Sequence, residues 1–313
     1  MATSPARGSR IRRWARIGLV CGLFCCGVAT AAQGSTSLVL GRVSDDPKSH
    51  YERLKPLLDY VVPHLKDLGV TEGKVLMARD AQQMVSYLRQ GKVDWITETA
   101  GAALVFEERA HARIFLRARR GGLFNYHTVF FARKDHAIHR IEDLRGRSLG
   151  LQHPSSTSAY WVPAIILLDA GLSLAIQASP LERPPQDFVG YAFARSEGNL
   201  VTWVEKGLVD AAAFSNQDWD ELVQSAPVLA EQLDVFHQSR DFPRAVELMR
   251  SGLDSRIQAR IEEVLLAAHE DPEAAAALRA YSNTERFDAI DTKTSEMLRD
   301  LRVGVRRVRA EIE

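Results

Sequence analysis

Residues 37–97 alternate the two periods of regular secondary structure, and that alternation limits the fold more than any other feature of the chain. The apolar run 37–43 suits a strand, and Ser44-Asp45-Asp46-Pro47 follows it as a turn. From 50 to 65, Tyr51, Leu54, Leu57, Leu58, Val61, Val62 and Leu65 recur at helical spacing. Residues 74–78 predict a second strand, 81–90 a helix stopped by Gly91, and 93–97 a third strand. A β-α-β-α-β order predicts a parallel sheet with helices on its faces. Ligands of such sheets sit beyond the carboxyl ends of strands, which makes Arg42, Ser44, Glu98 and Thr99 candidate site residues.

The alternation then begins again. After a helix at 101–109, a strand at 112–118 and a long strand at 126–133, residues 148–151, 187–193 and 209–214 read as strands. Residues 156–170 and 199–206 read as helices between them, so a second small α/β unit is expected over about 136–233. Proline-rich residues 179–185 form a surface link inside it. Strand-like segments 233–238 and 244–249 return the chain to the first unit, and helices at 255–269, 272–281 and 292–311 close it. Arg302, Arg306, Arg307 and Arg309 stand among acids on the last helix and read as a solvated face.

The amino terminus reads as an export leader. Arg7, Arg10, Arg12, Arg13 and Arg16 precede an apolar stretch at 17–28 and small residues up to Ala32, the pattern of a cleaved signal peptide over 1–32. Cys21, Cys25 and Cys26 all lie in this leader, so a mature chain would have no thiol for disulfides, metal binding or catalysis. Removal of 1–32 takes away five arginines and no acids, leaving 35 basic against 40 acidic residues. That mild acidity argues against nucleic acid as a partner. The remaining length fits about two domains.

The second unit carries the most pointed local chemistry. His153-Pro154-Ser155-Ser156-Thr157-Ser158-Ala159-Tyr160 lies between the strand at 148–151 and the helix that follows. A helix start leaves backbone N–H groups unpaired and partially positive, so hydroxyls gathered there suit an anion. The same residues also suit a plain N-cap in a proline-initiated turn. Catalytic signatures are missing: the chain has no G-x-S-x-G elbow, no H-E-x-x-H pair, no P-loop and no G-x-G-x-x-G. The nine histidines are scattered, and no base is evidently aimed at Ser156 or Ser158.

Four segments in order carry a family likeness: Gly91-Lys92-Val93-Asp94, Ile141-Glu142-Asp143-Leu144-Arg145-Gly146-Arg147, Pro154-Ser155-Ser156-Thr157-Ser158-Ala159, and Gly207-Leu208-Val209-Asp210-Ala211-Ala212-Ala213. Together they resemble the phosphate/phosphite/phosphonate periplasmic binding proteins of ABC importers, the PhnD-like group. The resemblance implies an α/β, type II periplasmic-binding-protein fold of two lobes joined by two crossover strands. It implies lobe one from 33–133 plus 234–313, lobe two from 134–233, and crossings carried by 126–133 and 235–248. It also implies that Ser156, Thr157 and Ser158 hold the phosphonate oxygens, that the partner is a membrane permease, and that the protein is periplasmic, not an enzyme and without a cofactor. A monomer is expected.

The likeness weakens at the other end of the ligand. Thr97-Glu98-Thr99-Ala100-Gly101 and Ala194-Arg195-Ser196-Glu197-Gly198 replace loops that in the family face the non-phosphorus end. Glu98, Thr99, Tyr126, Tyr160, Ser215 and Asn216 are expected near the cleft beside Arg42. Three other readings remain open: a sensory receptor of the same fold, a secreted serine hydrolase, and a binding protein for an organic, thiamine-precursor-like ligand.

Overall fold

The computed structural model describes residues 36–312; the leader read at 1–32 lies outside them. In chain order the regular elements are β1 (Thr36–Val43), α1 (Pro47–Val61), β2 (Val70–Ala78), α2 (Ala81–Arg89), β3 (Trp95–Glu98), α3 (Ala100–Ala110) and β4 (Arg113–Arg120). Then come β5 (Asn125–Tyr126), β6 (Thr128–Arg133), β7 (Ser148–Leu151), a single π turn (Thr157–Trp161) running into α4 (Val162–Asp169), β8 (Ser173–Ile176) and β9 (Phe188–Phe193). They are followed by α5 (Glu197–Glu205), β10 (Ala211–Ser215), α6 (Asn216–Ser225), α7 (Pro227–Ala230), β11 (Leu233–Gln238), β12 (Phe242–Pro243) and β13 (Val246–Met249). The last elements are α8 (Ser255–Ala267), α9 (Ala275–Ala280), β14 (Thr284–Ala289) and α10 (Thr292–Glu311).

Two sheets organise these elements. The first has the order β14-β4-β13-β3-β1-β2 and the second β11-β6-β10-β7-β9-β8. In the first, β1 pairs in parallel with β2 and β3; in the second, β7, β8, β9 and β10 are mutually parallel where they pair. Each sheet is covered on both faces, by separate buried clusters around α1 and α8, α2 and α3, α4 and α10, and α5 with α6. Thr128–Arg133, read above as a crossing, hydrogen-bonds inside the second sheet with β10 and β11. The chain passes between the sheets on either side of the short β5–β12 pair, where Tyr126 opposes Phe242.

The expected helix at 50–65 begins earlier, at Pro47, where Asp46 accepts from the Ser49 N–H at 3.2 Å. Its last turn tightens into a 3₁₀ segment, Val62–Leu68. Pro63 has no N–H to close an α-helical bond there. β2 starts at Val70, four residues before its predicted start, and β14 has no counterpart in the sequence reading. Both are edge strands, where backbone pairing on one side suffices and polar side chains face water, so their hydrophobic pattern is weak. Helix α6 also escaped that reading, since it buries Leu222 and little else.

The last helix ties the lobes together. Leu298, Leu301, Val305 and Val308 of α10 are buried in the cluster around α4, and a Cβ on Gly304 would lie 2.4 Å from Cδ1 of Ile165. Its arginines have defined partners: Arg302 with Glu107 and Arg309 with Glu108 on α3, and Arg307 with Asp169 on α4. Replacing Gly304 by Val is expected to destabilise the fold by about 1–3 kcal/mol through overpacking. Urea unfolding would measure it, and Ile165→Ala in the same chain should recover part of the loss.

A polar knot lies at the centre of the first sheet. Glu247 of β13 is fully buried; its Oε1 accepts from Thr97 Oγ1 at 2.8 Å and faces an Arg120 guanidinium nitrogen at 3.3 Å. Its Oε2 accepts from Trp95 Nε1 at 2.7 Å and from the Tyr281 hydroxyl at 2.9 Å. Burial pushes the Glu247 carboxyl up to about 7, against the pull of Arg120 and these donors. Because the folded value is raised from 4.5, the proton that Glu247 holds supports the fold fully below about 4.5, and this support is lost as pH rises through about 7. Glu247→Gln should therefore flatten the dependence of unfolding free energy on pH across that window; an unchanged slope would show that Glu247 does not titrate there.

Candidate functional site

Five strands deliver their carboxyl ends to one cavity of about 270 Å³ between the sheets. The first sheet contributes Arg42–Asp45 at the end of β1, with His50 from the first turns of α1, and Glu98–Thr99 at the end of β3. From the second come Gln152, His153, Ser155, Ser156 and Ser158 after β7, Arg195 and Glu197 after β9, and Ser215 and Asp218 after β10. Tyr126 and Arg244 enter from the crossing segments. The strand-end rule that selected Arg42, Ser44, Glu98 and Thr99 thus operates in both sheets at once.

Helix starts shape the walls. Thr99 precedes α3, Ser156 the π turn, Ser196 α5 and Ser215 α6, each in extended backbone at the N-cap position. Ser156 Oγ accepts from the Ala159 N–H at 3.1 Å. That bond leaves the Ser156 hydroxyl proton to donate elsewhere. The partial positive charge of these helix starts falls on the cavity side.

Of the residues expected at the cleft, Arg42, Glu98, Thr99, Tyr126, Ser156, Ser158 and Ser215 line it. Thr157, Tyr160 and Asn216 stand behind the wall. Successive helical residues point about 100° apart, so the three hydroxyls of 156–158 do not share one face. Thr157 is turned inward, where its Oγ1 accepts from the Gly101 N–H at 2.7 Å. A side chain on Gly101 would meet Trp161, with a Cβ 2.6 Å from Cδ1, so α3 and the π turn meet without one. Tyr160 packs among Trp161, Tyr191 and Phe193, and Asn216 Oδ1 accepts from the His127 N–H at 3.0 Å. His153 and Ser155 of the serine segment and Arg195 and Glu197 of the 194–198 loop also line it, and Gln152, Asp218 and Arg244, whose positions in sequence carry no motif, complete the lining.

The acids are engaged in holding the site together. Glu98 is buried, which pushes its carboxyl up against the opposing pull of Arg42 and of the Val43 and Thr99 N–H groups. Asp218 Oδ2 accepts from the Ser215 N–H at 3.0 Å and its hydroxyl at 2.5 Å in a capping box. Glu197 accepts from Gln152 Nε2 at 2.5 Å, and burial raises its carboxyl. Burial, aided by Arg42 and Arg53, holds His50 down at about 4, with Ser44 Oγ 2.6 Å from its Nδ1. His153, also lowered by burial, has Nδ1 facing the Ser155 N–H at 3.1 Å and Ser155 Oγ at 2.7 Å. That nitrogen braces its own loop and is not aimed at Ser156 or Ser158. Arg244 lies 4.8 Å from the Tyr126 ring centroid, and Ser158 shares a hydrogen bond with Tyr126.

A model of the family described as ABC transporter, phosphonate, periplasmic substrate-binding protein matches residues 41–294. Among solved structures, XAC2383 from Xanthomonas citri bound to ATP is 44% identical, with a TM-score of 0.85, covering 89% of this chain and 100% of that one. The same protein has been solved bound to chloride, with a TM-score of 0.85 and 88% of this chain covered against 99% of that one. PhnD1 from Prochlorococcus marinus, in complex with methylphosphonate, shares the fold at 16% identity and a TM-score of 0.66, covering 87% of this chain and 98% of its own. With two α/β lobes, two crossings and a polar cleft between them, the chain has the type II periplasmic-binding-protein fold and belongs to the phosphonate family of periplasmic substrate-binding proteins of ABC transporters, which bind a solute without transforming it.

Proposed function

We propose that the protein captures a small oxyanion, a phosphonate, phosphite or phosphate-like group, in the interlobe cleft and delivers it to the membrane permease of an ABC importer. The observation that carries this reading is the placement of Ser156 and Ser158 on a helix start that opens into a cavity also lined by Arg42 and Arg244. Hydroxyl and N–H donors aimed at an anion contribute about 1.5–3 kcal/mol each, so three or four give a gross term on the order of 6–10 kcal/mol. Micromolar affinity needs roughly 8 kcal/mol, and ligand ordering takes part of the gross sum. Contacts from the facing lobe therefore complete the binding. Chloride and ATP, found in the 44% identical Xanthomonas citri protein, are both anions and agree with this reading.

In this reading Ser156, Ser158, Thr99, Tyr126, Ser215 and Arg42 meet the ligand. Thr157 supports them from behind through Gly101, and Glu98 supports them through the Val43 N–H. Calorimetric titration of the exported protein with phosphate, phosphite, methylphosphonate and 2-aminoethylphosphonate is the direct test, and silence from all four would end the oxyanion reading. Ser156→Ala and Ser158→Ala should each weaken the best of these ligands by about 1–3 kcal/mol. Affinity unchanged by both would return the segment to a capping role.

A further inference from the structure

The charged groups around the cavity divide into those already engaged and those that are not. Glu98 accepts from the backbone N–H groups of Val43 and Thr99, Asp218 closes the capping box with Ser215, and Glu197 accepts from Gln152. Asp45 is exposed at the rim. The guanidiniums differ. Among the described residues, Arg42, Arg195 and Arg244 each line the cavity and none makes an ion pair within 4.0 Å. Arg244 is steadied by Gln217, which accepts from its Nε at 2.7 Å, and by the Tyr126 ring beneath it; both leave its charge uncompensated.

Their origins matter as much as their number. Arg42 ends β1 in the first lobe, Arg195 follows β9 in the second, and Arg244 belongs to the crossing beside β12. Arg195 is held with a positive φ of 71°, an uncommon conformation for a side chain of that size and one that clusters at ligand sites. Arg42 pulls on Glu98 and Arg244 on Glu197 from a distance, but among the described residues no carboxylate pairs with any of the three, so three unpaired guanidiniums from three parts of the fold converge on the cavity. A single oxyanion seated at the serine helix start meets hydroxyls and N–H groups there and leaves guanidiniums over. A cationic tail on the ligand would have to compete with internal donors for Glu98, Glu197 and Asp218.

Resting on the oxyanion reading above, we propose that the preferred ligand carries two anionic groups, one seated at Ser156 and Ser158 and the second held by Arg42, Arg195 and Arg244. A diphosphate is the simplest member of that class, and a cavity of about 270 Å³ suits so compact a ligand. Arginine's planar fork binds phosphoryl oxygens in pairs, which lysine does not.

Titration of the protein at one ionic strength with inorganic diphosphate, orthophosphate, methylphosphonate and 2-aminoethylphosphonate decides the matter. Diphosphate is expected to bind at least about tenfold more tightly than orthophosphate or methylphosphonate, with a steeper loss of affinity as salt rises. The amino group should bring no gain over methylphosphonate. Arg42→Gln and Arg244→Gln should each shrink the ratio of diphosphate to orthophosphate affinity, and Arg195→Gln, at the exposed mouth, gives the same readout with little risk to folding. Orthophosphate or methylphosphonate binding as tightly as diphosphate, a ratio unmoved by all three variants, or 2-aminoethylphosphonate binding tightest would overturn the two-anion proposal and leave the oxyanion reading standing. Absence of binding by all four overturns both.

Discussion

Most of the cleft wall is built from strands whose carboxyl ends turn directly into a loop or helix start, with Tyr126 and Arg244 added from the crossings. In β1, β7 and β9 the last residues of the strand are anchored by parallel pairing, in β3 and β10 by antiparallel pairing with β13 and β6, and residues at or shortly after these strand ends form most of the lining. Backbone hydrogen bonding therefore positions the site, and side chains only decorate it. The helix starts add N–H groups and partial positive charge without any ionisable residue. The polar knot around Glu247 belongs to the same arrangement, since it fixes Thr97, and hence Glu98 and Thr99, against β13 and β4.

The alternation of periods made both sheets legible in the sequence, because a strand buried on both faces reads as an unbroken apolar run and an amphipathic helix repeats at 3.6 residues. Edge strands and thinly buried helices were not legible for the complementary reason: β14 and α6 hide too few apolar side chains to leave a pattern. At the site, the serine helix start could be read because hydroxyls, a proline and a helix start are local features. The inward turn of Thr157 could not, since it depends on Gly101, 56 residues away. Arg195 lay in the 194–198 loop that the family likeness turned toward the ligand, whereas Arg244 stood out neither by spacing nor by neighbours, and only the fold brings it beside Arg42. The four arginines of the last helix, read as a solvated face, include Arg302, Arg307 and Arg309, which join α10 to acids of α3 and α4.

The lobes also touch outside the two crossings. Thr157 and Gly101 form one contact; a second is the Thr99 hydroxyl, which donates to the Ser155 carbonyl at 3.2 Å beside the cavity. α10 lies across α3 and α4 and adds a third bridge. A movement of one lobe against the other must carry these contacts along or break them, and two of them sit at the serine segment and at the start of α3. The Thr157–Gly101 and Thr99–Ser155 hydrogen bonds between the lobes thus both involve the serine segment that borders the cavity.

The lining spans residues 42 to 244, and no shorter piece of the chain contains it. An unfolded molecule therefore holds no fragment of the site, and a solute that fills the cleft binds the native state alone. Such a solute at a hundredfold excess over its Kd stabilises the fold by about 2.7 kcal/mol. Solute at that excess lowers the unfolded, protease-accessible fraction about a hundredfold.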